Sequence, residues 1–202
     1  MPDAYPNVYA LILAAGGSHR MGSPKQLLRW KGRTLLERAI DSAYRVLPER
    51  VIVVLGAHAE MIRDATDLAS VSTIQNPAWQ EGIASSIRTG VNALPASAEA
   101  ALILLGDQPL VDAPHLEAML NAWWNEPDRI VASQYDLSCG VPALFPAAYF
   151  DRLRILTGDK GAKPLLIEFD RNVWKIPFAL AELDIDTRSD FERLTGQALA
   201  EE

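Results

Sequence analysis

The hydrophobic positions of the chain fall into two alternating patterns. Short apolar runs occupy Val8–Ala14, where only Tyr9 carries a polar tip, Val51–Leu55 and 101–105, and 130–133 reads as a fifth strand. Parallel strands covered on both faces read as such continuous runs, whereas half-exposed strands alternate. Between the runs the apolar residues recur at helical spacing. Leu35, Leu36, Ala39, Ile40, Ala43, Val46 and Leu47 follow a capping Thr34 and stop at Pro48. A helix is expected over 59–67 and a third strand over 71–75. Ile83, Ile87, Val91 and Leu94 line a helix that starts near Gly82 and ends at Pro95. Leu116, Met119, Leu120 and Trp123 follow Asp112 and Pro114, a cap and a first-turn proline. The second half is less regular, with a short strand over 142–145 and helices over 147–156 and 162–169. Strands over 173–176 and 183–185 follow. Thr187 and Asp190 then open a last helix that buries Phe191 and Leu194.

Strands alternate with helices at least four times, without a linker, repeat or low-complexity tract. The expectation is one α/β domain over 1–202, a Rossmann-like, mainly parallel sheet with helices on both faces. In such sheets ligands bind beyond the carboxyl ends of the strands. The loops after the first, third and fourth strands therefore share one rim, where Arg20, Asn76 and Asp107 meet.

Composition narrows the picture further. A domain of 202 residues buries roughly 70% of its unfolded surface, enough to fold without disulfides or a structural metal. Cys139 is the single cysteine and reads as a small buried apolar residue. With no disulfide framework and no secretory pattern at the start of the sequence, a cytoplasmic location is expected. The formal charge of −7 argues against nucleic acid as a partner, and no run of apolar residues is long enough to cross a membrane.

The first apolar run opens into small residues: Leu13, Ala14, Ala15, Gly16, Gly17 and Ser18, with Arg20 and Lys25 close behind. Without bulky side chains, several backbone N–H groups converge on one anion. We read a triphosphate loop; a plain Gly/Ser turn with two solvated cations is the alternative. It is not a Walker loop, because Lys25 follows Pro24, and the Gly-x-Gly-x-x-Gly fingerprint is absent. Asp107 leaves an apolar strand inside Gly-Asp-Gln-Pro, where it is either a metal-holding carboxylate or a turn residue. Asp184 and Asp186 lie on one face of a strand, and Asp186 is the favoured second carboxylate, a helix-cap neighbour being the other reading. Magnesium takes one or two carboxylates and completes its shell with phosphates and water. Asn76, Gly82 and Ser86 offer a donor, an acceptor, a hydroxyl and bare backbone for a base, or else form an ordinary turn and helix start. His19, His58 and His115 lack metal-type spacing, and His58 and His115 read as structural. Thr157 to Lys163 is glycine-rich, carries two lysines and precedes a helix; it either receives an acceptor phosphate or is a plain cap.

The stretch from Leu13 to Lys25 resembles Leu-Ala-(Ala/Gly)-Gly-x-x-x-Arg-Met-Gly-x-x-Lys, the signature of the molybdenum-cofactor nucleotidyltransferase family. The resemblance runs to Asp-Ile-Asp-Thr near the end and implies a fold of the nucleotide-diphospho-sugar transferase type. It implies that Arg20, Lys25 and Asp107 are catalytic and that Asp107 and Asp186 hold magnesium. It further implies a nucleotide bound by residues 13–18, Arg20, Lys25, Asn76, Gly82 and Ser86. Guanylyl members tend to read Leu-Ala-Gly-Gly and Gly-Asp-Met-Pro, cytidylyl members Leu-Ala-Ala-Gly and Gly-Asp-Gln-Pro. Ala15 and Gln108 therefore imply CTP. Val141 departs from the His that cytidylyl members often carry there, which bears on the pterin acceptor more than on the nucleotide. The implied reaction moves CMP from CTP to a molybdopterin-type cofactor, for delivery to a molybdoenzyme apoprotein. GTP, a sugar or polyol phosphate acceptor, and a non-catalytic nucleotide-binding accessory role are the alternatives.

Overall fold

The computed structural model describes residues 5–18, 23–135, 138–178 and 188–196. A seven-stranded sheet forms from β1 (Val8–Ala14), β4 (Val51–Leu55), β5 (Ser72–Gln75), β6 (Ala100–Leu105), β7 (Ile130–Tyr135), β8 (Ser138–Pro146) and β9 (Val173–Pro177). Their order is β5-β4-β1-β6-β8-β7-β9. All pairings are parallel except those of β8, which runs against both β6 and β7. A separate two-stranded hairpin, β2 (Arg29–Trp30) with β3 (Arg33–Thr34), follows the first loop.

Alternation along the strands builds two cores. Ala10, Ile12 and Ala14 of β1 face α1 (Leu35–Val46), α2 (Ala59–Ala65) and α4 (Ala113–Asn125). Leu11 and Leu13 face α3 (Ile83–Asn92), α5 (Phe150–Arg154) and α6 (Lys163–Glu168). The expected caps form. Thr34 accepts from the Glu37 N–H while the Glu37 carboxylate accepts from the Thr34 N–H, and Asp112 accepts from the His115 N–H. A third cluster, Trp30, Leu35 and Phe191, seats α7 (Arg188–Thr195) on the hairpin. Lys31 and Arg38 lie 4.6 and 4.4 Å from the Trp30 ring centre. Among the described residues no helix is long and apolar enough to cross a membrane.

The second half departs from the expectation in places. The strand expected over 142–145 is nine residues long, because Ser138, Cys139 and Gly140 also pair with β7. Their polar and glycine character hides an edge that hydrogen bonding still supports. Cys139 is half-buried, not buried, since this end of β8 lies toward the sheet rim. The helix expected over 147–156 splits into a 3-10 turn and the short α5. The strand expected over 183–185, Thr187 and the side chain of Leu194 lie outside the described residues.

His115 is structural, as expected. Ser133 Oγ donates to Pro142 O at 2.9 Å, so the 2.8 Å contact with His115 Nε2 has the imidazole as donor. Phe178 stacks on the ring at 3.9 Å. Burial lowers the His115 pKa from 6.5 to about 4, against the weaker pull of Asp112. The unfolded chain therefore binds the extra proton between these values. The stability gained by keeping this ring neutral is full above pH 6.5 and is lost toward pH 4, by on the order of 3 kcal/mol. His115→Gln keeps a donor and removes the titration. Denaturant unfolding from pH 7 to 4 is expected to show a shallower decline for the variant, and parallel curves would contradict the assignment.

Candidate active site

The residues after β1 run along the rim of the sheet with their carbonyls turned into the protein. Ala15 O accepts from the Ala57 N–H at 3.2 Å, and Gly17 O lies 3.1 Å from His58 Nε2. Gln26 Nε2 reaches Ala14 O and Gly16 O, each at 3.5 Å. Among the described residues, nothing accepts from the N–H groups of Gly16, Gly17 or Ser18. Ser18 has a φ of 48°, and its hydroxyl oxygen accepts from the Lys25 N–H at 3.0 Å, which closes the loop. Gly56 lies beneath: a Cβ there would stand 2.6 Å from both the oxygen and the Cβ of Ala15.

Asp107 leaves the end of β6, next to β1, and is 6% exposed. It forms an ion pair with Lys25, which is also largely shielded. Both line a cleft of about 510 Å³ together with Leu13, Ala15, Gly16 and Gly17 of the first loop, and Trp79, Gly82 and Ser86 of the opposite segment. Replacing a buried ion pair with well-packed apolar groups is often neutral or stabilising, so fold stability alone is a weak reason for charges there. Gln108 is buried and points elsewhere, donating to Val141 O at 3.4 Å.

The opposite wall is built by the segment between β5 and α3. Asn76 is 1% exposed. Its amide donates to Ser85 Oγ at 2.8 Å and Ser86 Oγ at 3.1 Å, and its oxygen accepts from the Ala78 N–H at 2.9 Å. Asn76, expected to meet the base, is not among the residues that line the cleft. Both amide hydrogens are engaged inside the protein, and Asn76 holds the wall while Ser86 and Gly82 line the cleft. Gly82 has a φ of +100°, and a Cβ there would lie 2.6 Å from Gly158 O. The Ala84 N–H donates to that same oxygen at 3.2 Å, and Arg88 bridges Glu81 and Leu156 O. The glycine-rich segment expected to receive a phosphate is thus fastened to the back of this wall, and the helix after it, α6, has six residues.

Leu13, Ala15, Gly16, Gly17, Lys25, Gly82, Ser86 and Asp107 meet in one cleft, with Ala14 and Ser18 in the loop itself. Arg20, His19, Asp184 and Asp186 lie outside the described residues. Gln26, Trp79, Gln80 and Leu105 also line the cleft and Gly56 and His58 support it, none of them expected from the sequence, while Ile83 falls within the expected range 82–86. Trp79 and Gln80 had a detectable signal, since they follow Asn76-Pro77 in an irregular segment at the correct rim.

The mainly parallel seven-stranded sheet, with helices on both faces, matches the nucleotide-diphospho-sugar transferase fold. Within it the chain belongs to the MobA-like NTP transferase domain family, which residues 10–173 match. It is 30% identical over 170 residues to the nicotine blue oxidoreductase of Paenarthrobacter nicotinovorans, covering 80% of this chain and 82% of that protein. It is 37% identical over 128 residues to the bifunctional protein GlmU of Neisseria meningitidis, covering 62% of this chain but only 27% of that relative. The crystal structure of Rv0371c from Mycobacterium tuberculosis H37Rv superimposes with a TM-score of 0.82 at 28% identity, over 95% of this chain and 98% of that one. Rv0371c is also known in complex with manganese, at a TM-score of 0.77.

Gly56→Ala is expected to displace the loop from below. Overpacking of this kind costs about 1–3 kcal/mol. Thermal unfolding and triphosphate binding by calorimetry are both expected to weaken, and wild-type values for both would contradict the packing account.

Proposed function

We propose that the protein is a magnesium-dependent nucleotidyltransferase that moves CMP from CTP to a phosphorylated acceptor, a molybdopterin-type cofactor, with release of pyrophosphate. The observation that carries this reading is the Lys25–Asp107 pair, shielded in one cleft beside a loop whose N–H groups are available to an anion. Membership of an NTP transferase family supports the reaction class. Ala15 at the loop and Gln108 after Asp107 favour CTP by resemblance. Under this reading the product passes to a molybdoenzyme apoprotein in the cytoplasm.

Two anionic substrates must approach each other. Each close like-charge pair costs about 4 kcal/mol at 4 Å with an effective dielectric of 20. The loop N–H groups and Lys25 offset that repulsion along the triphosphate, and Arg20 is proposed to add a second cation. An acceptor phosphate oxygen attacks the α-phosphorus, and the bond from that phosphorus to the β-phosphate bridging oxygen breaks. With a second pKa near 6, the acceptor phosphate is mostly dianionic at neutral pH and needs no general base. Lys25 stabilises charge on the departing pyrophosphate.

The cleft fits a divalent ion carried in with substrate. Asp107 is a shielded carboxylate at its wall, and the described residues hold no group of three or more metal-type side chains. One or two carboxylates suffice for magnesium when phosphates and water complete its shell. Asp107 would hold the ion, with Asp186 proposed beside it, and the ion would add positive charge against the phosphates. The manganese complex of Rv0371c supports a divalent site in this fold.

A second reading follows from the likeness to nicotine blue oxidoreductase, which spans most of both chains. Under that reading the protein is an oxidoreductase, and no pyrophosphate is released with any of the nucleotides. Incubation with each of the four nucleoside triphosphates, magnesium and molybdopterin distinguishes the readings. Pyrophosphate release with CTP is expected. Release with GTP alone would shift the nucleotide assignment, and binding without release would favour a non-catalytic accessory role. Asp107→Ala and Lys25→Ala are each expected to lower turnover by about 100-fold or more, and wild-type rates in both would contradict the site.

A further inference from the structure

The geometry points to His58 as a positioning residue for the triphosphate, a part that neither its place at the start of α2 nor the loop sequence discloses. The inference rests on the nucleotidyltransferase reading. A trans peptide is planar, so the carbonyl of one residue and the N–H of the next point in opposite directions. Whatever fixes the carbonyls of the loop therefore aims its N–H groups. Ala15 O is held by the Ala57 N–H and Gly16 O by Gln26, and Gly17 O faces His58 Nε2 at 3.1 Å. These three carbonyls belong to the peptides that carry the N–H groups of Gly16, Gly17 and Ser18. Each peptide is anchored on its carbonyl side by a donor from elsewhere in the fold.

His58 supplies the side-chain donor from the neighbouring strand's loop. It precedes α2 without capping it, so its ring is not committed to the helix end. Gly17 O is an acceptor, so the neutral ring must carry its proton on Nε2. At this position the side chain spans 41 residues of sequence to reach the last peptide before Ser18. That peptide has glycine on its amino side and so has little stiffness of its own. Without His58 it is free to turn its carbonyl toward the cleft, where the oxygen would face the phosphates in place of an N–H.

The test compares wild type, His58→Ala and His58→Gln by calorimetric titration with CTP and magnesium, and with inorganic tripolyphosphate. Nitrogen NMR of the imidazole reads the tautomer in the wild type. His58→Ala is expected to bind both probes about ten-fold more weakly, the equivalent of one lost hydrogen bond. Its KM should rise more than its kcat falls. His58→Gln, which keeps an N–H at the same reach, is expected to recover most of the affinity, with both variants unfolding near the wild-type temperature. The wild-type ring is expected as the Nε2–H form. Unchanged affinity in His58→Ala, no recovery in His58→Gln, or an Nδ1–H ring would overturn the assignment. A wild type that binds neither probe would instead overturn the nucleotidyltransferase reading.

Discussion

The site depends on electrostatics at one rim of the sheet. A polyanion must be held where the surrounding protein carries a net negative charge, −7 in all. Long-range attraction cannot supply this, because salt screens charges beyond about 10 Å. Under the proposed function short-range groups do it: N–H dipoles fixed by the fold and the Lys25 ammonium, with the Asp107 carboxylate beside it contributing only through a bound cation. Lys25 and Asp107 neutralise one another, so neither is left as an uncompensated buried charge. Under the proposed function, arriving phosphates would give Lys25 a second anion to serve and leave Asp107 available to a cation.

The fold supplies these short-range groups through backbone contacts between neighbouring loops. β1 is central, with β4 on one side and β6 on the other. The loop after β4 fastens the loop after β1 at Ala15 and Gly17, and the loop after β6 delivers Asp107. On the opposite wall, Asn76 binds the turn to the start of α3, and Gly82 admits the backbone of Gly158. Each contact is modest, at about 1 kcal/mol for a typical hydrogen bond. Their effect is to set direction, which matters more than stability for a site that must meet charge without rearranging.

Much of this was legible in the sequence. Val8–Ala14 and Val51–Leu55 were readable because burial on both faces leaves the runs apolar apart from the half-buried Tyr9. The α1 capping box and the Asp112 cap were readable because local hydrogen bonds have fixed spacing. Asp107 was placed at the rim of the first loop by topology, since strand ends share a rim, whereas its pairing with Lys25 is seen only in the structure. The extent of β8 was not readable, because Ser138 to Gly140 pair through backbone atoms that their side chains do not advertise. Asn76 was assigned to the site from its chemistry, but a side chain with both donors and acceptors serves the protein's own backbone equally well. His58 and Gln26 were illegible for the same reason: their partners are carbonyls far along the chain, and a carbonyl has no sequence identity.

The central claim is that a triphosphate is received by the backbone of residues 16–18 and by Lys25, against Asp107. The most direct measurement is a titration of isotopically labelled protein with CTP and magnesium, following backbone amide and lysine ammonium signals by NMR. The account predicts that the amides of Gly16, Gly17 and Ser18 and the Lys25 ammonium move most, and saturate together. Saturable binding whose shifts cluster elsewhere, with these four signals unmoved, would contradict it.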